Sequence, residues 1–173
     1  EMASECGGDF LFHYETDTHV IVMVGDALGH GVGAALVTSV VGTTCNLLKK
    51  TQSTSPAKIL AHLNYSVYET CKEKMLMSFF VASINNKTFE MTYCSASHPP
   101  PFVVQRDPST QPIQRGLHEA QCPMLGLDPK SEYFEVTTSL EKGEVLLAFT
   151  DGLIELANEK GQQWQERRMM RTM

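Results

Sequence analysis

Over residues 19–25 the chain runs HVIVMVG, apolar at nearly every position, and then meets an aspartate, Asp26. A short run of this kind reads as a strand, and the lack of polar alternation means burial on both faces. The fold must therefore cover this strand on two sides. The preceding stretch 8–14, GDFLFHY, reads as its partner strand, joined to it through the turn-rich ETDT.

A GHG turn follows, and then Leu36, Val37, Val40, Val41, Leu47 and Leu48 recur at helical spacing over 33–50. The β-branched run Val37, Thr38, Val40, Val41, Thr43 and Thr44 has poor intrinsic helix propensity, so packing must hold this helix. Ser55 followed by Pro56 marks the start of a second helix. Leu60, Leu63, Val67 and Cys71 form its apolar stripe, and it fades near Lys74.

Strands come next. Residues 78–84 are apolar, Asn85-Asn86-Lys87 turns the chain, and 88–94 alternates with Phe89, Met91 and Tyr93 on one face. The segment 95–101, SASHPPP, cannot be regular because its three prolines remove three donors. Residues 101–105, 133–138 and 145–149 read as further strands, the last two joined by a turn at Glu141-Lys142-Gly143. The stretch 106–123 reads as loop, and a last helix is expected near Gln162. Two strands, two helices and a run of strands make an α+β layout, a mostly antiparallel sheet with paired helices packed on it.

The 173 residues fit one domain, and 42% hydrophobic with 20% charged residues is ordinary for a globular protein. No apolar stretch approaches the ~20 residues of a spanning helix, and no signal peptide is visible. A net charge of −6 and the lack of a basic stripe exclude a nucleic-acid partner. The only dense basic run is Arg167-Arg168 with Arg171, which reads as a helix surface. Five cysteines (Cys6, Cys45, Cys71, Cys94, Cys122) are odd in number and never spaced as CxxC. They read as small buried hydrophobes in a reducing cytoplasm.

Three acids stand beside glycine at strand ends or turns: Gly7-Gly8-Asp9, Gly25-Asp26-Ala27 and Thr150-Asp151-Gly152. Glycine permits unusual backbone angles and close approach of a ligand. Carboxylates without a His or Cys cluster suit Mg²⁺ or Mn²⁺ rather than zinc. Each acid has a plain alternative: an Asp-Gly turn, a strand-edge charge at Asp9, a helix cap at Asp26. Asp26 and Asp151 gain weight because both follow strongly apolar strands.

In order along the chain, ECGGDF, VGDALGHGVGAAL, SASHPPPFVV, PMLGL and GEVLLAFTDGLIELAN span residues 5 to about 160. Together they resemble the successive motifs of the SpoIIE/RsbU branch of the PPM (protein phosphatase 2C-like) family. The resemblance implies a four-layer α-β-β-α sandwich, two antiparallel sheets flanked by helix pairs, with two Mn²⁺ or Mg²⁺ ions at one edge. Position by position, Asp26 matches the carboxylate bridging the metals, and Ala27 the residue whose carbonyl ligates one of them. Asp151 matches the ligand aspartate of the TDG motif. Asp9 matches the GGD aspartate, which acts directly or through a water. The implied reaction is attack of a metal-activated water on phosphoserine or phosphothreonine of another protein.

His30, in the GHG turn, and His98, in SHPPP, are each open to two readings. Either one donates a proton to the leaving serine oxygen, or it bonds backbone in a tight turn and orders the site. Ser97 stands where relatives have glycine, and Phe12 where many carry a second aspartate. Relatives also finish with a strand bearing another ligand aspartate, whereas this chain reaches Met173 within the helix expected before it. The expectation is a single phosphatase domain, residues 1–173, lacking its last strand, with one weakened metal site and a regulatory domain upstream.

The resemblance points to a phosphorylated STAS-domain anti-anti-sigma factor as substrate in a bacterial partner-switching pathway. It also implies a cytoplasmic location with no membrane contact by this domain, and it is compatible with a homodimer. A catalytically weak or inactive docking module is the alternative, with hydrolysis of a small phosphate ester a more distant one.

Overall fold

The computed structural model describes residues 7–105, 113–157, 161, 163 and 169. These divide into two compact units. One runs to His98 and resumes over His118–Leu140, and the other takes Pro99–Leu117 and the chain from Glu141 onward.

In the first unit, β1 (Asp9–Glu15) and β2 (His19–Ala27) pair antiparallel. Then come α1 (Val32–Lys50), α2 (Pro56–Cys71), β3 (Met77–Asn85) and β4 (Glu90–Ala96). The sheet order is β1-β2-β3-β4, with two later strands on the free side of β4. Those are β7 (Gln121–Cys122) and β8 (Val136–Ser139). The expected antiparallel sheet thus carries one parallel step, β4 with β7, because the chain returns from the second unit running alongside β4.

Phe12, Met23, Val81 and Cys94 stand in one row across the four strands, and Phe10, Gly25, Phe79 and Ala96 in the next. Against these rows lie Ala34, Val37, Val41, Cys45 and Leu48 of α1, with Ile59, Leu60, Leu63, Val67 and Cys71 of α2. The period of 3.6 in the helices and of 2 in the strands brings all of them into one core. The rings of Phe10 and Phe79 meet over Gly25, their centroids 5.9 Å apart, and no side chain at position 25 could share that space.

By length and apolarity α1 would reach across a membrane, which the sequence reading did not anticipate. Its buried stripe marks it instead as a core helix. Three of its hydroxyls bond back into the helix: Thr38 to the Ala35 carbonyl, Thr43 to Ser39 and Thr44 to Val40. These bonds satisfy polar groups on a helix of poor intrinsic propensity. Helix α2 begins as expected, with Ser55 as N-cap and Pro56 in the first turn. Glu135 adds a second cap, its Oε2 accepting from Ser55 Oγ at 2.9 Å and from the Ala57 amide at 3.0 Å.

The PMLGL motif is pinned to α2 by buried Asn64. Its Nδ2 donates to the Asp128 carbonyl and its Oδ1 accepts from the Gly126 amide, both at 2.8 Å. Leu125 in turn bridges to Met77, the cross-strand partner of Ala27.

The second unit contains β5 (Phe102–Gln105), β6 (Ile113–Gly116) and β9 (Glu144–Leu147), an antiparallel sheet in the order β6-β5-β9. Phe102 and Phe149 stack at 6.0 Å in its small core with Val104 and Met169. The stretch read as loop over 106–123 holds β6, which pairs antiparallel with the preceding β5, and β7, whose partner β4 lies 26 positions earlier. Asp151 does not end a strand; it opens α3 (Asp151–Glu155) behind Thr150 as N-cap. The helix expected near Gln162, the basic run at Arg167, Arg168 and Arg171, and Cys6 lie outside the described residues. Cys45, Cys71, Cys94 and Cys122 are buried free thiols.

Candidate metal centre

Asp9 and Asp26 face each other across β1 and β2, and oxygens of their carboxylates lie within 4.8 Å. Asp9 is exposed and Asp26 half-buried. Like charges set directly opposite on neighbouring strands destabilise a sheet, and a cation between them reverses the sign.

Gly8 shows how closely the surroundings are fitted. A β-carbon built on Gly8 would stand 2.7 Å from the Ala27 carbonyl oxygen and 2.8 Å from Asp26 Oδ1. Both oxygens therefore border the small space that the missing side chain leaves. The Gly8 carbonyl accepts from the Ala27 amide at 3.1 Å, which fixes the crossing. A carboxylate pair and a main-chain carbonyl form an all-oxygen donor set, the chemistry that Mg²⁺ and Mn²⁺ prefer.

His30 is exposed in the loop between β2 and α1. The glycines on either side of it have φ of 93° and 78°, and Gly31 pairs its value with ψ −149° as N-cap of α1. That region of backbone space is essentially reserved for glycine, which explains the Gly-His-Gly spelling. His98 is instead buried, its Nδ1 3.0 Å from Ser78 Oγ. The Ser95 hydroxyl clasps His98 from the side, accepting from its amide and donating to its carbonyl. The buried, ordering reading of His98 is the one its geometry supports.

Phe12 packs half-buried against the core, between the rings of Phe10 and Tyr14. The side chain at this position serves packing. Asp151 belongs to the second unit, where it is exposed at the first turn of α3. The sequence reading missed Ser78, whose hydroxyl donates to the Asp26 carbonyl at 3.4 Å. The available signal was a buried serine in a largely apolar strand, shared by Ser83, since a buried hydroxyl has to find a partner.

The fold is that of PP2C-type phosphatase domains. It matches the SiaA-PP2C domain of Pseudomonas aeruginosa with a TM-score of 0.76 at 20% identity, covering 95% of this chain and 64% of that one. The RsbU and RsbW domains of a Mycobacterium tuberculosis protein match with a TM-score of 0.74 at 27% identity, over 92% of this chain and 43% of that one. The chain belongs to the SpoIIE family: the model of Stage II sporulation protein E (SpoIIE) matches residues 16–173. Among curated relatives, phosphoserine phosphatase RsbU of Bacillus subtilis is 30% identical over 161 residues, 92% of this chain. The chain spans less than half the length of the curated relatives it matches, 46% of RsbU and 31% of protein IcfG of Synechocystis.

Proposed function

We propose that this domain removes phosphate from phosphoserine or phosphothreonine on a partner protein by divalent-metal-dependent hydrolysis. The observation that carries the reading is the opposed Asp9–Asp26 pair beside Gly8. Family membership supports it, as does the curated relative's name as a phosphoserine phosphatase. RsbX, of the same fold (TM-score 0.66, 22% identity, over 99% of this chain and 80% of that one), is described in complex with magnesium. On this reading the partner is a phosphorylated STAS-domain protein in a bacterial partner-switching pathway.

Asp9, Asp26, the Ala27 carbonyl and Asp151 would hold the metal, as Mn²⁺ or Mg²⁺. A hard dication there would lower the pKa of a water and offset charge growing on the phosphoryl oxygens. The chain's own work is placement. The β1–β2 register sets the two carboxylates opposite each other, and the Gly8 crossing holds the Ala27 carbonyl beside them. The half-buried setting of Asp26 keeps its charge less screened than that of an exposed acid. His30, carried on a two-glycine turn, is the proposed proton donor to the leaving oxygen.

The test is Mn²⁺-dependent hydrolysis of p-nitrophenyl phosphate by the protein and by its Asp26→Asn variant. The reading predicts a loss of at least a hundredfold, and equal rates would remove it. Phosphate release from a phosphorylated STAS-domain protein then separates a protein substrate from a small ester.

A further inference from the structure

Strand β3 is buried along most of its length, and Ser78 is the polar residue that sits directly opposite Asp26 in the β2–β3 register. Ser78 is 7% exposed and His98 2%. A serine hydroxyl has one proton to give. When Ser78 gives it to the Asp26 carbonyl, 3.4 Å away, His98 Nδ1, 3.0 Å from Ser78 Oγ, is the group that donates to that oxygen. The histidine is itself fixed at both ends of its backbone by Ser95, and Ser97 ties the same loop to the Cys122 carbonyl at 3.0 Å. A chain of hydrogen bonds thus runs from the SASHPP loop through β3 to the backbone of the acidic residue.

We infer that Ser78 and His98 are positioning residues for Asp26. The imidazole orients the Ser78 hydroxyl, and the hydroxyl fixes the peptide from which the Asp26 carboxylate leaves its strand. The inference rests on the reading of Asp26 as a metal ligand. It gives the SASHPP motif a task at the centre although its histidine is too buried to touch a protein substrate. Partners that orient metal ligands typically change affinity by about 10–100-fold. Because Ser78 holds the ligand's backbone rather than its carboxylate, the lower end of that range is expected.

The experiment measures Mn²⁺ binding without substrate, by the electron paramagnetic resonance signal of free Mn²⁺. Alongside it runs the Mn²⁺ concentration giving half-maximal hydrolysis. Ser78→Ala and His98→Ala should each weaken binding about tenfold, with an unchanged far-ultraviolet circular dichroism spectrum. Ser78→Thr and His98→Asn, which keep a donor in place, should recover most of the loss. A purely structural role would lower the melting temperature and leave the Mn²⁺ affinity where it was. If Ser78→Ala does not fold, Ser78→Cys gives the same reading with a weakened donor of similar size. Affinity within twofold of the unaltered protein in Ser78→Ala or Ser78→Cys overturns the inference while leaving Asp26 as ligand. If the unaltered protein and Asp26→Asn bind Mn²⁺ equally, the ligand reading fails, and the inference with it.

Discussion

Gly8 lies against the Asp26 carboxylate so closely that a β-carbon at position 8 would come within 2.8 Å of Oδ1. Real β-carbons do not sit there, so Gly8→Ala has to push the carboxylate or the strand end aside. Gly7, one residue earlier, has nothing within 4 Å of the equivalent point. Gly8→Ala should therefore lose at least tenfold in Mn²⁺-dependent hydrolysis, roughly 1.4 kcal/mol of transition-state stabilisation. Gly7→Ala should stay within twofold. The comparison is made on kcat/KM at fixed Mn²⁺, and equal behaviour of the two variants would show that the crossing at Gly8 does not govern the site.

The ring of Phe79 fills the space above Gly25, where a β-carbon would come within 2.2 Å of it. Two substitutions attack this contact from opposite sides. Phe79→Ala empties the space and should cost about 3–5 kcal/mol, as large-to-small core changes of aromatic residues do. Gly25→Ala overfills it and should cost about 1–3 kcal/mol. Chemical denaturation reads both. In the double variant the new methyl occupies part of the cavity, so its loss should fall short of the two single losses added together. Simple additivity would show that the two positions do not share that space.

Helix α2 has two linked caps: Ser55 Oγ accepts from the Lys58 amide, and Glu135 Oε2 accepts from the Ala57 amide and from the Ser55 hydroxyl. Ser55→Ala should cost about 1 kcal/mol. Glu135→Gln should cost less, because an amide oxygen still accepts but no longer brings negative charge to the helix N-terminus. A double-mutant cycle in urea should return a coupling of about 0.5 kcal/mol or more between positions 55 and 135. No coupling would mean the two caps act separately.

How much of this was legible beforehand follows the range of the forces involved. Ser55-Pro56 could be read because a helix start is a local affair, settled within four residues. The apolar run of β2 and the helical spacing of α1 were legible for the same reason. Phe89 shows where pattern alone fails. It continues the alternation of Met91 and Tyr93, yet it sits at φ 58°, 56% exposed, at the end of the Asn85 turn. There the chain's reversal overrode the period of two. β7 has only two residues, and its parallel partner lies some 26 positions earlier in β4, so no window of sequence contains the pair. The site divides similarly: Asp9 and Asp26 stood out by their glycines, whereas Ser78 acquires its role only through register with a neighbouring strand.

Tyr14 sets a stability limit on the alkaline side. Burial first, and the neighbouring Cys45 second, push its phenol from the ordinary 10.0 up to about 12, and its hydroxyl donates to the Ser53 carbonyl. Because the folded-state pKa is raised, the contribution is fully present below pH 10. It is lost as pH rises through about 12, by which point the phenolate must leave its buried place. Two pKa units correspond to roughly 2–3 kcal/mol. Cys45, raised by burial from 9.0 to about 12, weakens the fold over an overlapping window. Urea melts from pH 8 to 11.5 should show stability falling from about pH 9 through Cys45 and more steeply above pH 10, with a shallower fall above pH 10 in Tyr14→Phe. A profile unchanged by that substitution would assign the alkaline loss to other groups.

Ser97 offers the finest test of the loop that carries His98. It stands at φ 53°, a left-handed conformation that costs a non-glycine residue about 1–2 kcal/mol. Its hydroxyl offsets part of this through the 3.0 Å bond to the Cys122 carbonyl, a net gain of about 1 kcal/mol. Ser97→Gly trades one term for the other and should change stability by less than about 1 kcal/mol. Ser97→Ala keeps the strained backbone and gives up the bond, so it should lose about 1 kcal/mol. Ser97→Val adds a β-branched side chain in the same region and should lose more than alanine does. The order Gly, Ala, Val in falling stability is therefore expected from denaturant midpoints. An alanine variant as stable as the glycine one would mean that the left-handed backbone carries no cost here, and one as stable as serine that the hydroxyl bond contributes nothing.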